Sequence, residues 1–254
     1  MYKIGLKLWS TNQNYIKEAI HLFEKGVYQY IELFAVPGSY EKFINLWKSL
    51  NIPYVIHAPH SYVGLNPAKK EKRNENLKLI NETMRFANDL NVEIIIFHPG
   101  VNGEIKETAY QLGQIKDPRI VVENKPFLGL NDEICNGSTL EEIKFVIDKA
   151  KVGFCFDIGH AINSANYQKI EHFKYLNEFN KLQPKIYHLT DGDFNGVYDE
   201  HKHLGKGSYD IKRIVVEILP TDCLITVETN KNFKDSLRDF EEDAYFLKNI
   251  TKKE

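Results

Sequence analysis

The sequence predicts a single (β/α)8 barrel over residues 1–254. Three observations carry that expectation. Eight short apolar runs recur along the chain, most of them near-continuous in Ile, Val, Phe and Leu. Such runs suit parallel strands covered on both faces rather than half-exposed alternating ones. Amphipathic stretches of helical period lie between them, and repeated strand–helix alternation favours a closed barrel over an open doubly wound sheet. The chain has 254 residues, the size of one such barrel at about 250 residues. No Gly-x-Gly-x-x-Gly follows the first run, so a dinucleotide-binding sheet has no support.

Lys3–Trp9 is the first expected strand. Asn14–Lys25 follows as a helix with Ile16, Ile20 and Phe23 on one face and Gly26 as its stop. Tyr30–Phe34 is the second strand, and Tyr40–Leu50 a helix carrying Phe43 and Leu46–Trp47. Tyr54–Ala58 is the third strand. Lys69–Leu90 is the longest helix, with Leu77, Ile80, Met84 and Phe86–Ala87 as its apolar stripe. Glu93–Pro99 is the fourth strand; Ile105–Ile115, short and polar, is the weakest helix. After the fifth strand, Arg119–Asn124, the run Ser138-Thr-Leu-Glu-Glu142 reads as a helix start, a hydroxyl cap with Glu in the first turn. Val146, Ile147 and Ala150 face inward from it. Val152–Ile158, Lys185–Asp191 and Leu224–Thr229 complete the strands, and Ile170–Leu182, Ile211–Leu219 and Phe233–Ile250 the helices. The tail from Thr251 to Glu254 is expected to fray.

Composition excludes several classes. The chain is 43% hydrophobic and 27% charged, ordinary for a globular protein. A formal charge of -2 and a pI near 6.5 exert no global pull on nucleic acid or anionic membrane, so a polyanion must be bound locally. Cys135, Cys155 and Cys223 have no metal-type spacing, and an odd, scattered set fits a reducing cytoplasm. No run approaches the roughly 18–20 apolar residues of a membrane span, and the N-terminus lacks a signal-peptide core. No motif for a protein partner is present, so a monomer is expected.

The strands end in polar residues. Glu32 lies in the second strand; the third ends His57-Ala-Pro-His60, the fourth His98-Pro-Gly100, and the fifth Glu123-Asn124. The sixth ends Asp157-Ile-Gly-His160, the seventh His188-Leu-Thr-Asp191, and the eighth Glu228-Thr229. Beyond the seventh comes a dense cluster, Asp199, His201 and His203. A single such residue is ordinarily a hydrogen-bonded structural group. A series on consecutive strands converges on one barrel mouth, where active sites of this architecture lie. Close carboxylates repel unless a positive charge sits among them, and Lys125 is the one basic residue apparent at these ends. A divalent metal is the natural counter-charge; His with Asp or Glu and no Cys favours Zn²⁺ or Mn²⁺, with Fe²⁺ an option. Glu123, Asp157, Asp199 and Glu228 with His57, His98, His160, His188 and His201 make nine candidate ligands. One ion takes about four, so nine suffice for two or three if one carboxylate bridges. Three divalent ions against four carboxylates leave a positive site suited to phosphate; one ion leaves a negative site suited to a neutral polyol.

At these residues the chain resembles the xylose-isomerase-like TIM barrel superfamily, and within it endonuclease IV, the zinc-dependent apurinic/apyrimidinic (AP) endonuclease of DNA repair. The resemblance spans nearly the whole chain and rests on Phe97-His-Pro-Gly100, Val122-Glu-Asn124, Asp157-Ile-Gly-His160, His188-Leu-Thr-Asp191, Asp199-Glu-His201 with Leu204-Gly-Lys-Gly207, and Val227-Glu-Thr229. It implies up to three zinc ions: His57 and His98 on one, Glu123 bridging to a second completed by Asp157, His188 and Glu228, and His160, Asp199 and His201 on the third. It implies hydrolysis of a phosphodiester at abasic sites in DNA, with no side-chain nucleophile. Asp191 joins Glu123 and Glu228 among the residues expected to act in catalysis. Asp191 and His203 orient ligands or face the phosphate, and His60 and Lys125 are expected near substrate.

Three departures keep a second reading open. His60 stands where the family usually has an aromatic residue, which makes it a rival to His57. Asn124-Lys-Pro-Phe-Leu-Gly129 replaces a small, Gly-rich stretch, and Ala35-Val-Pro-Gly-Ser-Tyr40 is short and lacks an arginine for DNA. The alternative is a sugar or sugar-phosphate isomerase or epimerase, using Glu123 and Glu228 around one or two divalent ions for proton transfer next to a carbonyl. A barrel that retains these residues without activity ranks behind both, because an unneutralised acid cluster would destabilise it.

Overall fold

The computed structural model describes residues 2–251. Eight parallel strands pair in chain order, and the first closes on the last. They are β1 (Lys3–Trp9), β2 (Tyr30–Phe34), β3 (Tyr54–His57), β4 (Ile95–Phe97), β5 (Ile120–Glu123), β6 (Gly153–Asp157), β7 (Ile186–Leu189) and β8 (Leu224–Val227). Six are shorter than their expected runs, by one to four residues, because flanking residues serve the loops. Closure brings Leu6 level with Ile31 on one side and Val227 on the other.

Nine α-helices accompany the strands among the described residues: α1 (Ile16–Glu24), α2 (Tyr40–Ser49), α3 (Arg73–Asp89), α4 (Ile105–Ile115), α5 (Leu140–Ala150), α6 (Ile158–Gln168), α7 (His172–Asn180), α8 (Ile211–Glu217) and α9 (Arg238–Thr251). The weakest expected helix, α4, forms over the expected residues. The α5 start is a reciprocal cap. Thr139 Oγ1 accepts from the Glu142 amide at 3.2 Å, and Glu142 Oε2 accepts from Gly137 and Ser138 amides at 2.9 and 3.1 Å.

Several expectations need correction: α6 is not among the expected helices, and the helix expected over Phe233–Ile250 begins only at Arg238. The sixth strand does not run to Ile158: Asp157 Oδ1 accepts from the His160 amide at 2.7 Å, so the strand turns directly into α6. On α1 the buried residues are Ala19 and Leu22 rather than Ile20, and on α3 Leu77 points to solvent. Short amphipathic stretches leave the phase of a helix open by about one residue. The expectation for the tail lies, for residues 252–254, outside the described residues. Among the described residues no helix is long and apolar enough to cross a membrane.

Side chains alternate across each strand. Ile4, Leu6, Leu8, Ile31 and Leu33 belong to the larger cluster between strands and helices. Tyr30, Val55, Ile94, Ile96, Val121, Cys155 and Ile186 pack together in a second cluster inside the barrel. One step of two along each strand from this inner plug brings a polar residue to the same end. All eight strands contribute: Lys7, Glu32, His57, His98, Glu123, Asp157, His188 and Glu228.

Candidate metal centre

The mouth of the barrel opens into a cavity of about 540 Å³ lined by Lys7, His57, His98, Glu123, His160, Asp199, His201 and Glu228, with Trp9 and Phe34 at its wall. Glu123 is the hub. Its Oε2 lies 3.1 Å from both His57 Nε2 and His98 Nε2, and its Oε1 lies 3.1 Å from His160 Nδ1. His188 Nδ1 is 3.2 Å from Glu228 Oε1, 3.7 Å from Glu123 and 3.8 Å from Asp157. Asp199 Oδ2 is 3.2 Å from His160 Nε2 and 2.7 Å from His201 Nε2. The nine residues expected as ligands therefore converge, from β3 to β8 and from the loop after β7.

The imidazoles are held by their far sides. His57 Nδ1 donates to the Ala58 carbonyl at 2.7 Å, His160 Nδ1 to the Asn124 carbonyl at 2.9 Å, and His201 Nδ1 to the Glu228 carbonyl at 2.6 Å. A carbonyl only accepts, so each Nδ1 carries a proton and each Nε2 is the nitrogen turned inward, facing a carboxylate and able to bind metal once it has shed any proton of its own. His188 is oriented the other way: its Nε2 lies 2.9 Å from Glu32 Oε2, and its Nδ1 faces the site. This is the backing that orients metal-binding imidazoles. Asn124 does the same for Asp157, with its amide and carbonyl oxygen each 2.8 Å from the Asp157 backbone.

The donor set fits divalent metal. Glu123 Oε1, His188 Nδ1 and Asp199 Oδ1 are buried without a hydrogen-bond partner in the structure, although imidazole or carboxylate atoms lie close by. Such unsatisfied buried atoms are costly unless something binds them. Groups of three donor atoms within 4.8 Å of one another occur at His57–His98–Glu123, at Glu123–Asp157–His160 and at Glu32–His188–Glu228. These three are nitrogen and oxygen donors, suited to Zn²⁺ or Mn²⁺, and a fourth group, Glu123–Cys155–His188, adds a buried thiol.

Electrostatics agree with a site built for cations. Burial raises the Asp157 carboxyl to about 6, with Glu123 and Asp199 adding to the rise against His160. Burial opposes protonation of His160 and His201, yet Asp157 and Asp199 carry them to about 10 and about 9. His98 is driven well down by burial and by Lys125. Burial would raise Glu32 and Glu228, but His188 and Lys7 pull both below the ordinary range.

One expectation is overturned here: Lys125 is not the sole basic group at the mouth. Lys7 extends from β1 into the site and pairs with Glu32 Oε1 at 2.5 Å and with Glu228 Oε1. Lys231, following β8, also lines the cavity and donates to the Thr229 carbonyl at 2.9 Å. The apolar run around Lys7 reads as simple strand, but Ile4, Leu6 and Leu8 alternate with Gly5, Lys7 and Trp9; that period puts Lys7 inside. Glu32, absent from the expected ligand set, is fully buried and takes bonds from Lys7, His188 and Thr226.

The remaining expected residues sit as follows. Lys125 Nζ lies 3.3 Å from His160 Nε2. His60 lines the cavity, its ring 5.9 Å from that of His98, but the contact with Glu123 belongs to His57. Burial lowers His60 to about 3. His203 Nδ1 lies 2.8 Å from Asp243 Oδ2 and its Nε2 contacts Asn232. Asp191 is buried beneath the loop after β7, where its carboxylate accepts from the amides of Gly192, Gly205 and Tyr209.

Comparison with known proteins places the chain in a family. A probable endonuclease 4 of Mycoplasmopsis pulmonis is 26% identical over 226 residues, 80% of this chain and 79% of that one. The crystal structure of endonuclease IV from Thermus thermophilus superposes with a TM-score of 0.72 at 19% identity, covering 97% and 99% of the two chains. A D-tagatose 3-epimerase-like protein gives 0.72 at 21%, covering 98% and 96%; at these identities the superpositions speak to fold. Residues 23–250 match the family described as xylose isomerase-like TIM barrel, and the chain belongs to it.

Proposed function

We propose that the protein is a divalent-metal-dependent phosphodiester hydrolase of the endonuclease IV type, cleaving DNA at abasic sites. One observation carries this reading: nine nitrogen- and oxygen-donor residues converge on one mouth, with Glu123 shared by His57, His98 and His160. A sugar-isomerising site around one ion has no evident use for His57, His98, Asp199 and His201 together. Sequence relatives described as probable endonuclease 4 support it, one of them over 80% of the chain.

Bound metal would polarise the phosphate and lower the pKa of water at neutral pH. His57, His98, Glu123, Asp157, His160, Asp199 and His201 are the residues to hold it, and zinc is the expected ion, with manganese as the substitute. Lys125 and Lys231 line the cavity and provide positive charge for phosphate oxygens without base preference. Glu228, which lines the cavity after β8, is placed to accept or return a proton near the centre. The cytoplasm suits three cysteines that remain free, and we expect a monomer.

The test is incubation of zinc-loaded protein with a duplex carrying one abasic site, with and without EDTA. EDTA-sensitive nicking is expected; an intact duplex rejects the reading. The short turn after β2, where residues 35–39 bring no arginine to the mouth, favours a small substrate instead. Solvent deuterium incorporated into a ketose would establish that isomerase alternative.

A further inference from the structure

The nine ligands suggest up to three ions, yet the site already contains a cation. Lys7 Nζ lies on Glu32 and Glu228, two of the three residues of the Glu32–His188–Glu228 group. Its side chain is largely buried, with 15% exposure, and Glu32 is wholly buried. An ammonium has three donors; two are spent on these carboxylates. We propose that the Lys7 ammonium stands in for one divalent ion, so that the protein binds two ions where its ligand count suggests three.

Two arguments meet in this assignment. The first is position. Lys7 claims the Glu228 oxygen that also lies 3.2 Å from His188 Nδ1, the side of the site where an ion held by Asp157, His188 and Glu228 would sit. An ammonium and a divalent cation at that one oxygen repel. The other two groups, His57–His98–Glu123 and Glu123–Asp157–His160 extended by Asp199 and His201, have no lysine on their carboxylates among the described residues.

The second is charge. Glu32, Glu123, Asp157 and Glu228 are buried carboxylates and Asp199 is 11% exposed, five in all, and Lys7 balances one. Two divalent ions balance the remaining four and leave Lys125, 3.3 Å from His160 Nε2, as the positive charge toward a phosphate, whereas a third ion would add two more charges beside Lys7. Lys7 also ties β1, otherwise without a ligand, to β2 and β8 across the closure of the barrel.

The inference rests on the metal-centre reading above but not on the substrate. The experiment is metal analysis of the full chain after zinc loading and exhaustive dialysis against a zinc buffer. Two ions per chain are expected for the native protein, two for Lys7→Arg, which keeps the charge, and three for Lys7→Met. If Lys7→Met does not fold, Lys7→Gln, which is also uncharged and whose amide can still donate to Glu32, is loaded in its place, and three ions are again expected. Three ions in the native protein, or two in each foldable variant with an uncharged residue at position 7, overturn the proposal. Abasic-site cleavage is scored separately: native protein with two ions that leaves abasic DNA intact keeps this inference and rejects the hydrolase, while cleavage with three ions does the reverse.

Discussion

Asp191 ends the seventh strand with the expected motif, and its role can be decided by one substitution. Its Oδ1 accepts from the Gly192 and Tyr209 amides at 2.8 and 3.0 Å, and its Oδ2 from the Gly205 amide at 2.9 Å. The surrounding backbone is built around the carboxylate. Gly205 has φ +76°, and a Cβ on Gly207 would stand 2.2 Å from Asp191 Oδ1, which is why Leu204-Gly-Lys-Gly207 carries glycine twice. A hydrogen bond to a charged acceptor nets about 1.5–3 kcal/mol. Asp191→Asn turns one oxygen into a donor facing an N–H and weakens the other bonds, at a cost of about 3 kcal/mol. For a chain of this size that is a fall of about 6–12 °C in Tm. The loop it anchors carries Asp199 and His201, so zinc affinity falls with it. The assay is thermal unfolding of the zinc-free and zinc-loaded variant, with zinc content measured alongside. An Asp191→Asn protein that melts within about 2 °C of the parent, keeps its metal and yet loses turnover refutes this account and puts Asp191 on the substrate.

Other expectations separate the parts of the site. His57→Ala removes a donor 3.1 Å from Glu123 and should lower the zinc content, whereas His60→Ala should leave it unchanged; the reverse result would make His60 the ligand from β3. Glu123→Gln should weaken zinc binding by more than the roughly 10–100-fold that loss of an outer hydrogen-bond partner costs, read by competition with a chromophoric chelator; retained affinity would remove Glu123 as the hub. In metal-free protein His201 and His160 hold their protons up to about 9 and about 10, above the ordinary value. Their contribution to stability is complete below about pH 6.5 and is lost as pH rises through 9 and 10. The urea midpoint of EDTA-treated protein should therefore fall from pH 7 to pH 10, and a flat profile would rule out these ion pairs. With zinc the trend between pH 6 and 8 should reverse, since ligand imidazoles must shed protons to bind.

Much of this was legible in the sequence because barrel strands are buried on both faces and announce themselves as apolar runs. The polar residues that end them stand out against that background, so the nine donors could be read without coordinates. Helix phase and the immediate strand-to-helix turn at Asp157 were harder. A carboxylate that follows an apolar strand looks like a strand end, and its capping of the His160 amide appears only in three dimensions. The three hydrogen bonds of Asp191 run forward by as many as 18 residues, beyond any local pattern, so a loop anchor and a catalytic acid read alike.

Lys7 shows a different kind of difficulty. Its carbon stem lets it sit in an apolar strand without interrupting it, and a lysine in a first strand is ordinarily an outward one. The deciding signal was the alternation with Ile4, Leu6 and Leu8, which pack against the helices and so commit Lys7 to the inner face. The charge balance then changes. Counting only strand ends makes a metal the natural counter-charge, and the number of ions follows from the number of ligands. Counting the inner face of every strand puts a fixed ammonium against Glu32 and Glu228, and ligand number no longer sets ion number. In a closed barrel, then, the charges that govern a mouth must be counted by strand face and depth. A residue two positions before the end of β1 weighs as much as one at the end of β8.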